Sequence, residues 1–445
     1  MTRHFWVLVH RYAGLYMAFF LTVAGLTGSV LAFYHELDGW LNPARYQVTV
    51  QNQPMLDDFI LREKALVLTP HAQINSVGFN RQPGQVYEAV VIPVIDPVTN
   101  KPYELGYNTV QLNPYNGELI EFGKDEGLWP LNRRNILSFI YSLHYSLALG
   151  EVGVWLFGIA ALIWTADCFV GFYLTLPGRG RKLGGITNAY PETAKAKAFS
   201  EGQGGGDDEG VYHLRANRSF GSRWAVAWKI KWPASTYRIN FDLHRAGGLW
   251  TWVMLFIFAW SSVMFNLGQQ VYIPVMKQFF EMTDGTVLPV PNLQQPRPDP
   301  IIDFKTAYQT GQRLMTRQAQ QKRFKVLEEA GISYDPAKGL YSYTVKSDYD
   351  MSKFGRTILW LDGISGAFVG LYLPTGQKAG DTITYWLQDL HMAHVWGLPF
   401  QIFVCLMGLV VAMLSITGVY IWLKKRRARC LSKERKIRLA EETHA

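Results

Sequence analysis

The chain has 445 residues, of which 49% are hydrophobic, 14% aromatic and only 18% charged, where soluble domains carry about 25% charged residues. That balance excludes a disordered or collagen-like chain and argues against a single soluble domain, while a mean hydropathy of -0.01 excludes a chain embedded in membrane throughout. The net charge of +9 decides nothing about partners until the basic residues are placed.

In chain order, four stretches reach the roughly 20 apolar residues that crossing a bilayer takes: about 6–34, 150–176, 247–267 and 395–423. The first is too long for a secretory leader and no small-x-small cleavage site follows it, so it reads as an uncleaved anchor. The fourth ends in Lys424, Lys425, Arg426 and Arg427, and the second runs into Arg179, Arg181 and Lys182. Basic flanks mark the cytoplasmic side, so both termini are expected inside and the two long connections outside. The first outer stretch is net acidic and the second near neutral. The basic excess is therefore an imprint of topology and lipid contact, and no nucleic-acid partner is expected.

The predicted layout is helix 1 over 1–35, an outer domain over 36–143, helix 2 over 144–176, a cytoplasmic loop over 177–240, helix 3 over 241–267, a second outer domain over 268–390, helix 4 over 391–423 and a basic tail over 424–445. The Gly-rich stretch 201–209 in the loop has a flexible-linker composition. No strand, glycine loop and helix follow one another as a flavin or nicotinamide domain would need. Cys168 and Cys405 lie in apolar runs and Cys430 in the tail. No Cys-x-x-Cys occurs, which excludes a zinc ribbon, a thioredoxin-type site and c-type haem attachment.

The chain reads as a duplication. His10-Arg-Tyr-Ala-Gly-Leu opens the first span and His244-Arg-Ala-Gly-Gly-Leu the third. His144 precedes the second span and His391 the fourth, and Gly171 and Gly418 follow them at the same offset. The outer segments 110–117 and 359–366 match as well, each reading as a strand entering a turn that ends on Gly117 or Gly366. Both halves start inside, so the repeat is parallel, about an axis along the membrane normal. Such an axis puts equivalent residues at one depth, facing each other. No Gly- or Pro-broken helix pair is expected near mid-membrane, which argues against a permease.

That symmetry singles out histidines. His10 and His244 form an inner pair, His144 and His391 an outer pair; His35 and His394 are outer extras, the latter three residues from His391 on one helix face. Ionisable residues at span ends are functional candidates, and neutral imidazole is a common metal ligand. Two histidines from facing helices suit a six-coordinate b-type haem, with Arg11 and Arg245 at the inner end and Arg133 and Arg134 at the outer end for its propionates. A zinc or non-haem iron site at His391 and His394 stays open, with Glu36, Asp38 and Asp389 as its carboxylates. Aromatic residues Trp129, Tyr141, Tyr145, Trp386 and Trp396 lie near the outer mouth, and Trp164, Cys168 and Trp260 near mid-span. On one helix His10 and His35 would stand roughly 37 Å apart, a wide gap for electron transfer.

The His-Arg-x-x-Gly-Leu openings, the Leu-His before each returning span and the segments ending in Gly117 and Gly366 resemble the PepSY-associated transmembrane family, over nearly the whole chain apart from the 177–240 loop and the tail. The resemblance implies an integral α-helical inner-membrane protein with two periplasmic α+β PepSY-like domains. It also implies haem b, two groups in all, held among His10, His244, His144 and His391, with His394 or His35 as an alternative outer ligand. The activity implied is reduction of a periplasmic ferric siderophore to release Fe²⁺, fed by a quinol or a cytoplasmic donor. The Gly-rich loop departs from the family pattern and leaves that donor open. The alternative is a membrane-anchored PepSY module that regulates periplasmic proteins or peptidases without redox chemistry.

Overall fold

The computed structural model describes residues 2–79, 81–124, 127–178, 219–283 and 290–444; the stretch 201–209 and Arg179, Arg181 and Lys182 lie outside them. The first half opens with α1 (Arg3–Leu31), α2 (Tyr34–Leu41) and α3 (Pro43–Tyr46). An α+β segment follows: α4 (Asp58–Leu68), β1 (Ala72–Gln73), β2 (Ser76–Gly78), β3 (Tyr87–Val90), β4 (Ile92–Pro93), β5 (Thr109–Leu112) and β6 (Leu119–Gly123). Then come α5 (Ile136–Ser146) and α6 (Gly150–Thr175). The described part of the 177–240 loop holds α7 (Phe220–Trp224) and a 3-10 turn (Ala225–Trp228). The second half contains α8 (Thr236–Trp250), α9 (Trp252–Asn266), a π-helical turn (Gly268–Tyr272) and α10 (Ile273–Phe279). It continues through α11 (Phe304–Lys322), β7 (Val326–Asp335), β8 (Leu340–Ser347), β9 (Thr357–Asp362) and β10 (Phe368–Tyr372) to α12 (Ala379–His391) and α13 (Gly397–His444).

Among the described residues, three helices are long and apolar enough to cross a membrane: α1, α6 and α13. A fourth span exists if α8 and α9, bent by 73°, are taken together. The expected single third helix is therefore broken. The joint falls at Thr251, just after Gly247 and Gly248, where the Thr251 hydroxyl donates to Gly247 O at 2.7 Å; Thr22, Thr27 and Thr165 make the same bond inside unbroken helices. Ahead of the bend, α8 carries a fully buried Asp242 bonded by Arg238 and Arg245.

The bundle is held where α1 crosses α13. A Cβ on Gly25 would stand 2.5 Å from Gly408 O, and one on Gly408 2.5 Å from Gly25 O. Only glycine at both positions allows that approach, the small-residue contact that drives helix association in lipid. Ser29 Oγ donates to Cys405 O at 2.8 Å beside it.

Three other expectations about the helices are corrected. α1 ends at Leu31 with a tightened turn, Phe33 N donating to Val30 O, so His35 lies on α2 and is not collinear with His10. His144 and His391, expected to open helices 144–176 and 391–423 just ahead of the apolar runs, lie instead on the separate short helices α5 and α12. The basic tail is no separate segment: α13 runs on through Lys424 to His444.

At one end of the bundle the strands form a five-stranded antiparallel sheet in the order β10-β9-β8-β7-β2, a three-stranded sheet β3-β5-β6 and a pair β1-β4. The segments ending in Gly117 and Gly366 are strand-and-turn units as expected, with φ of +74° and +68° at those glycines. The sheets, however, do not divide into two self-contained domains. β2 belongs to the first α+β segment but pairs with β7 of the second, Val77 opposite Ile332. Gly331 permits it, since a Cβ there would lie 2.7 Å from Val77 O. Val77 is buried in the same core as Phe304, Tyr341 and Leu359.

Candidate functional site

Folding brings the histidines together in two pairs. The His10 ring on α1 and the His244 ring on α8 have centroids 6.0 Å apart. The His144 ring on α5 and the His391 ring on α12 have centroids 6.3 Å apart. Each ring is held through Nδ1 by a neighbouring helix. His10 Nδ1 meets both carboxylate oxygens of Asp167 on α6, at 3.0 and 2.9 Å. His244 Nδ1 meets Leu414 O at 2.9 Å and Thr417 Oγ1 at 3.2 Å, both on α13. His144 Nδ1 meets Thr27 Oγ1 at 3.0 Å, and His391 Nδ1 meets Ser261 Oγ at 2.6 Å.

These partners assign the tautomer. Asp167 and Leu414 O can only accept. The hydroxyl protons of Thr27 and Ser261 are already given to Val23 O and Ile257 O, so toward histidine these oxygens accept too. Neutral imidazole has one N–H. All four rings therefore carry it on Nδ1 and keep the Nε2 lone pair for another ligand, the arrangement by which a second-shell acceptor orients a metal-binding histidine.

The sequence positions of these partners are also equivalent. Thr27 and Ser261 each come 17 residues after the histidine that opens their half, and Asp167 and Leu414 each come 23 after His144 and His391. Glycines make room for three of the rings. A Cβ would stand 3.0 Å from His144 Cε1 at Gly28, 3.4 Å from His10 Cε1 at Gly171 and 3.2 Å from His244 Cε1 at Gly418.

The pair nearer the sheets opens into a cavity of about 620 Å³, lined among others by His144, His391, Tyr141, Tyr145, Trp164 and Phe258. His35, His394 and Lys353 line it too. Phe258 and Phe265 stand edge-on to the His391 ring, each at 5.3 Å between centroids. The volume falls in the range of sites that enclose a whole ligand.

Other expected site residues are placed elsewhere. His394 lies beyond the end of α12, its N–H on Asp389 O and its Nδ1 3.4 Å from Asp389 Oδ1, so it does not share a helix face with His391. Glu36 accepts from Gln401, and Asp38 from Asn42 and Tyr46. Those bonds draw both carboxylates away from a zinc or non-haem iron site, and among the described residues no group of three or more His, Cys, Asp and Glu could hold a metal ion. Arg245 is turned to Asp242 at 2.7 Å, Arg11 is half-buried, and Arg134 pairs with Glu121. Arg133 and Trp129 are exposed and do not line the cavity. Trp386 packs with Trp396 at 6.0 Å. Of the mid-span trio, Trp164 lines the cavity, Trp260 packs on Tyr272 at 5.4 Å, and Cys168 O takes the indole N–H of Trp252.

Three residues escaped the sequence reading. Asp167 left a signal, a lone carboxylate deep in an apolar run. Thr27 and Ser261 left only their equivalent offsets.

The PepSY-associated TM region matches residues 7–206 and again 209–425. The chain belongs to the PepSY-associated transmembrane family. No curated protein matches it. As a family member it is a membrane protein, consistent with its long apolar helices.

A b-type haem, which the resemblance implies, sets a geometric requirement on each histidine pair. Two imidazoles bound to one metal through nitrogens at about 2 Å have ring centroids about 6.3 Å apart. The observed 6.0 and 6.3 Å match that spacing, and each pair offers two imidazoles.

Proposed function

We propose that this protein is a haem b-containing inner-membrane reductase that carries electrons across the membrane to a ferric siderophore in the periplasm, releasing Fe²⁺. The observation that carries it is the double histidine pair: two facing rings at each end, at metal-sharing distance, each with Nδ1 anchored and Nε2 kept for a ligand. His10 and His244 would hold one haem, and His144 and His391 the other. A haem in each pair supplies a one-electron couple.

The remaining work falls to the chain. Thr27, Ser261, Asp167 and the Leu414 carbonyl orient the ligands. The aromatic walls of the cavity exclude water, and Lys353 offers the cation for a propionate at the outer end, the role first expected of Arg133 and Arg134. His35 and His394 line the same cavity as polar wall residues. Along α1, Thr27 is 17 residues from His10, about 26 Å of rise. That rise would set the spacing of the two sites.

The chain reads as a tandem duplication of one unit, which the two family matches and the equivalent positions support. Lys424 to Arg427 follow the apolar part of α13 at the end away from the sheets. Positive flanks stay inside, so the sheets belong to the periplasm, where a ferric chelate would reach the cavity mouth. The donor is a quinol or a cytoplasmic reductant.

The test is a reduced-minus-oxidised spectrum of protein purified from haem-replete cells. The expected result is a b-type signal, with His10→Ala and His144→Ala each removing a different half of it. Colourless wild-type protein would sink the proposal.

A further inference from the structure

The two histidine pairs share a plan but differ in charge. In the outer pair both Nδ1 partners are neutral hydroxyls, Thr27 and Ser261. In the inner pair one partner is a carboxylate: Asp167, 8% exposed, with both oxygens within 3.0 Å of His10 Nδ1. Its positional equivalent in the other half is Leu414, which offers only a backbone carbonyl to His244. Arg11 and Arg245 each follow a histidine by one residue, about 100° round the helix, and Arg245 is ion-paired to Asp242. At the outer pair neither ring's Nδ1 meets a carboxylate; Lys353 lines the cavity with the Glu36 carboxylate close to it.

We propose that Asp167 is a positioning residue that makes the inner site the more reducing of the two, so that electrons run from the His10–His244 pair to the His144–His391 pair. The inference rests on the two-haem reading above. A negative charge bonded to a metal ligand raises the ligand's basicity and favours the more positive, oxidised iron. The neutral hydroxyls on the outer ligands exert no such pull toward the oxidised iron. One electron leaves the inner site and one arrives at the outer site, with no bond made or broken.

The experiment is a potentiometric titration followed by absorbance. Wild type is expected to show two midpoints. His144→Ala and His391→Ala, which remove the outer haem, should leave the lower one. Asp167→Asn should ease reduction of that haem at least tenfold, about 59 mV for one electron, and leave the other midpoint in place; Asp167→Glu, which keeps the charge, should stay near wild type. If Asp167→Asn sheds its haem, the assignment through His144→Ala and His391→Ala still decides. The higher midpoint surviving in those two variants, or both midpoints unmoved in Asp167→Asn, would overturn the inference while leaving two haems in place. A protein without haem would instead refute the reading on which it rests.

Discussion

Replacing Thr27 by valine isolates what a hydroxyl contributes to ligand geometry. The two side chains are nearly the same shape, so packing against α5 is kept. What is lost is the acceptor 3.0 Å from His144 Nδ1. A buried N–H left without a partner costs about 1–3 kcal/mol. The Ala24 carbonyl also meets the His144 ring, so without the Thr27 oxygen the ring keeps one partner but loses the one that fixes its orientation. Loss of a second-shell partner weakens metal binding about 10–100-fold, equivalent to roughly 1.4–2.7 kcal/mol, and the two ranges agree. Haem titration of the apoprotein, followed by its visible absorbance, should show one site weakened 10–100-fold and the other unchanged. Thr27→Ser, which retains the oxygen, should bind as wild type does. Unchanged affinity at both sites in Thr27→Val would refute the reasoning.

Further predictions concern the frame around the sites. Gly408→Val drives a side chain into the α1 backbone 2.5 Å away and should cost about 1–3 kcal/mol by overpacking; a lowered thermal midpoint checks it, and Gly14→Ala, with nothing within 4 Å, should leave that midpoint alone. Val77→Asp places a charge in the joint sheet core where Val77 is 2% exposed, so limited proteolysis should open the 50–100 region while membrane insertion persists. In the second sheet, burial works against the Glu329 carboxylate, but Tyr308, Tyr343 and Gln312 outweigh it and hold it below the ordinary value. A carboxyl depressed in the folded state stabilises above its unfolded value and loses that contribution as pH falls through the folded one. Thermal unfolding measured from pH 6 down to pH 3 should therefore steepen in wild type and flatten in Glu329→Gln.

Much of this frame is written in the sequence, for physical reasons. Apolar runs long enough to span announce themselves whatever they pack against. The repeated His-Arg-x-x-Gly-Leu and Leu-His motifs put residues at matching positions, and a parallel repeat brings such residues face to face, as the rings of His10 and His244 are. The strand-turn segments were legible because Gly117 and Gly366 mark left-handed turns. The breaks were not. The break at Thr251 and the end of α1 at Leu31 both fall inside apolar runs, so neither leaves a trace in hydropathy. The exchange of β2 into the other segment's sheet depends on contacts far apart in sequence. The orienting partners were hidden for the same reason: a threonine in a membrane helix usually bonds its own backbone, and only the approach of α5 gives Thr27 a second role.

The central claim is electron passage from one face of the membrane to the other through the two histidine pairs. Its most direct test is a sealed proteoliposome with a reductant trapped inside and a ferric chelate outside, read with an impermeant ferrous indicator. The account predicts external Fe²⁺ with wild type, and only the background leak with either His10→Ala or His144→Ala. External Fe²⁺ at the wild-type rate from either variant would contradict it.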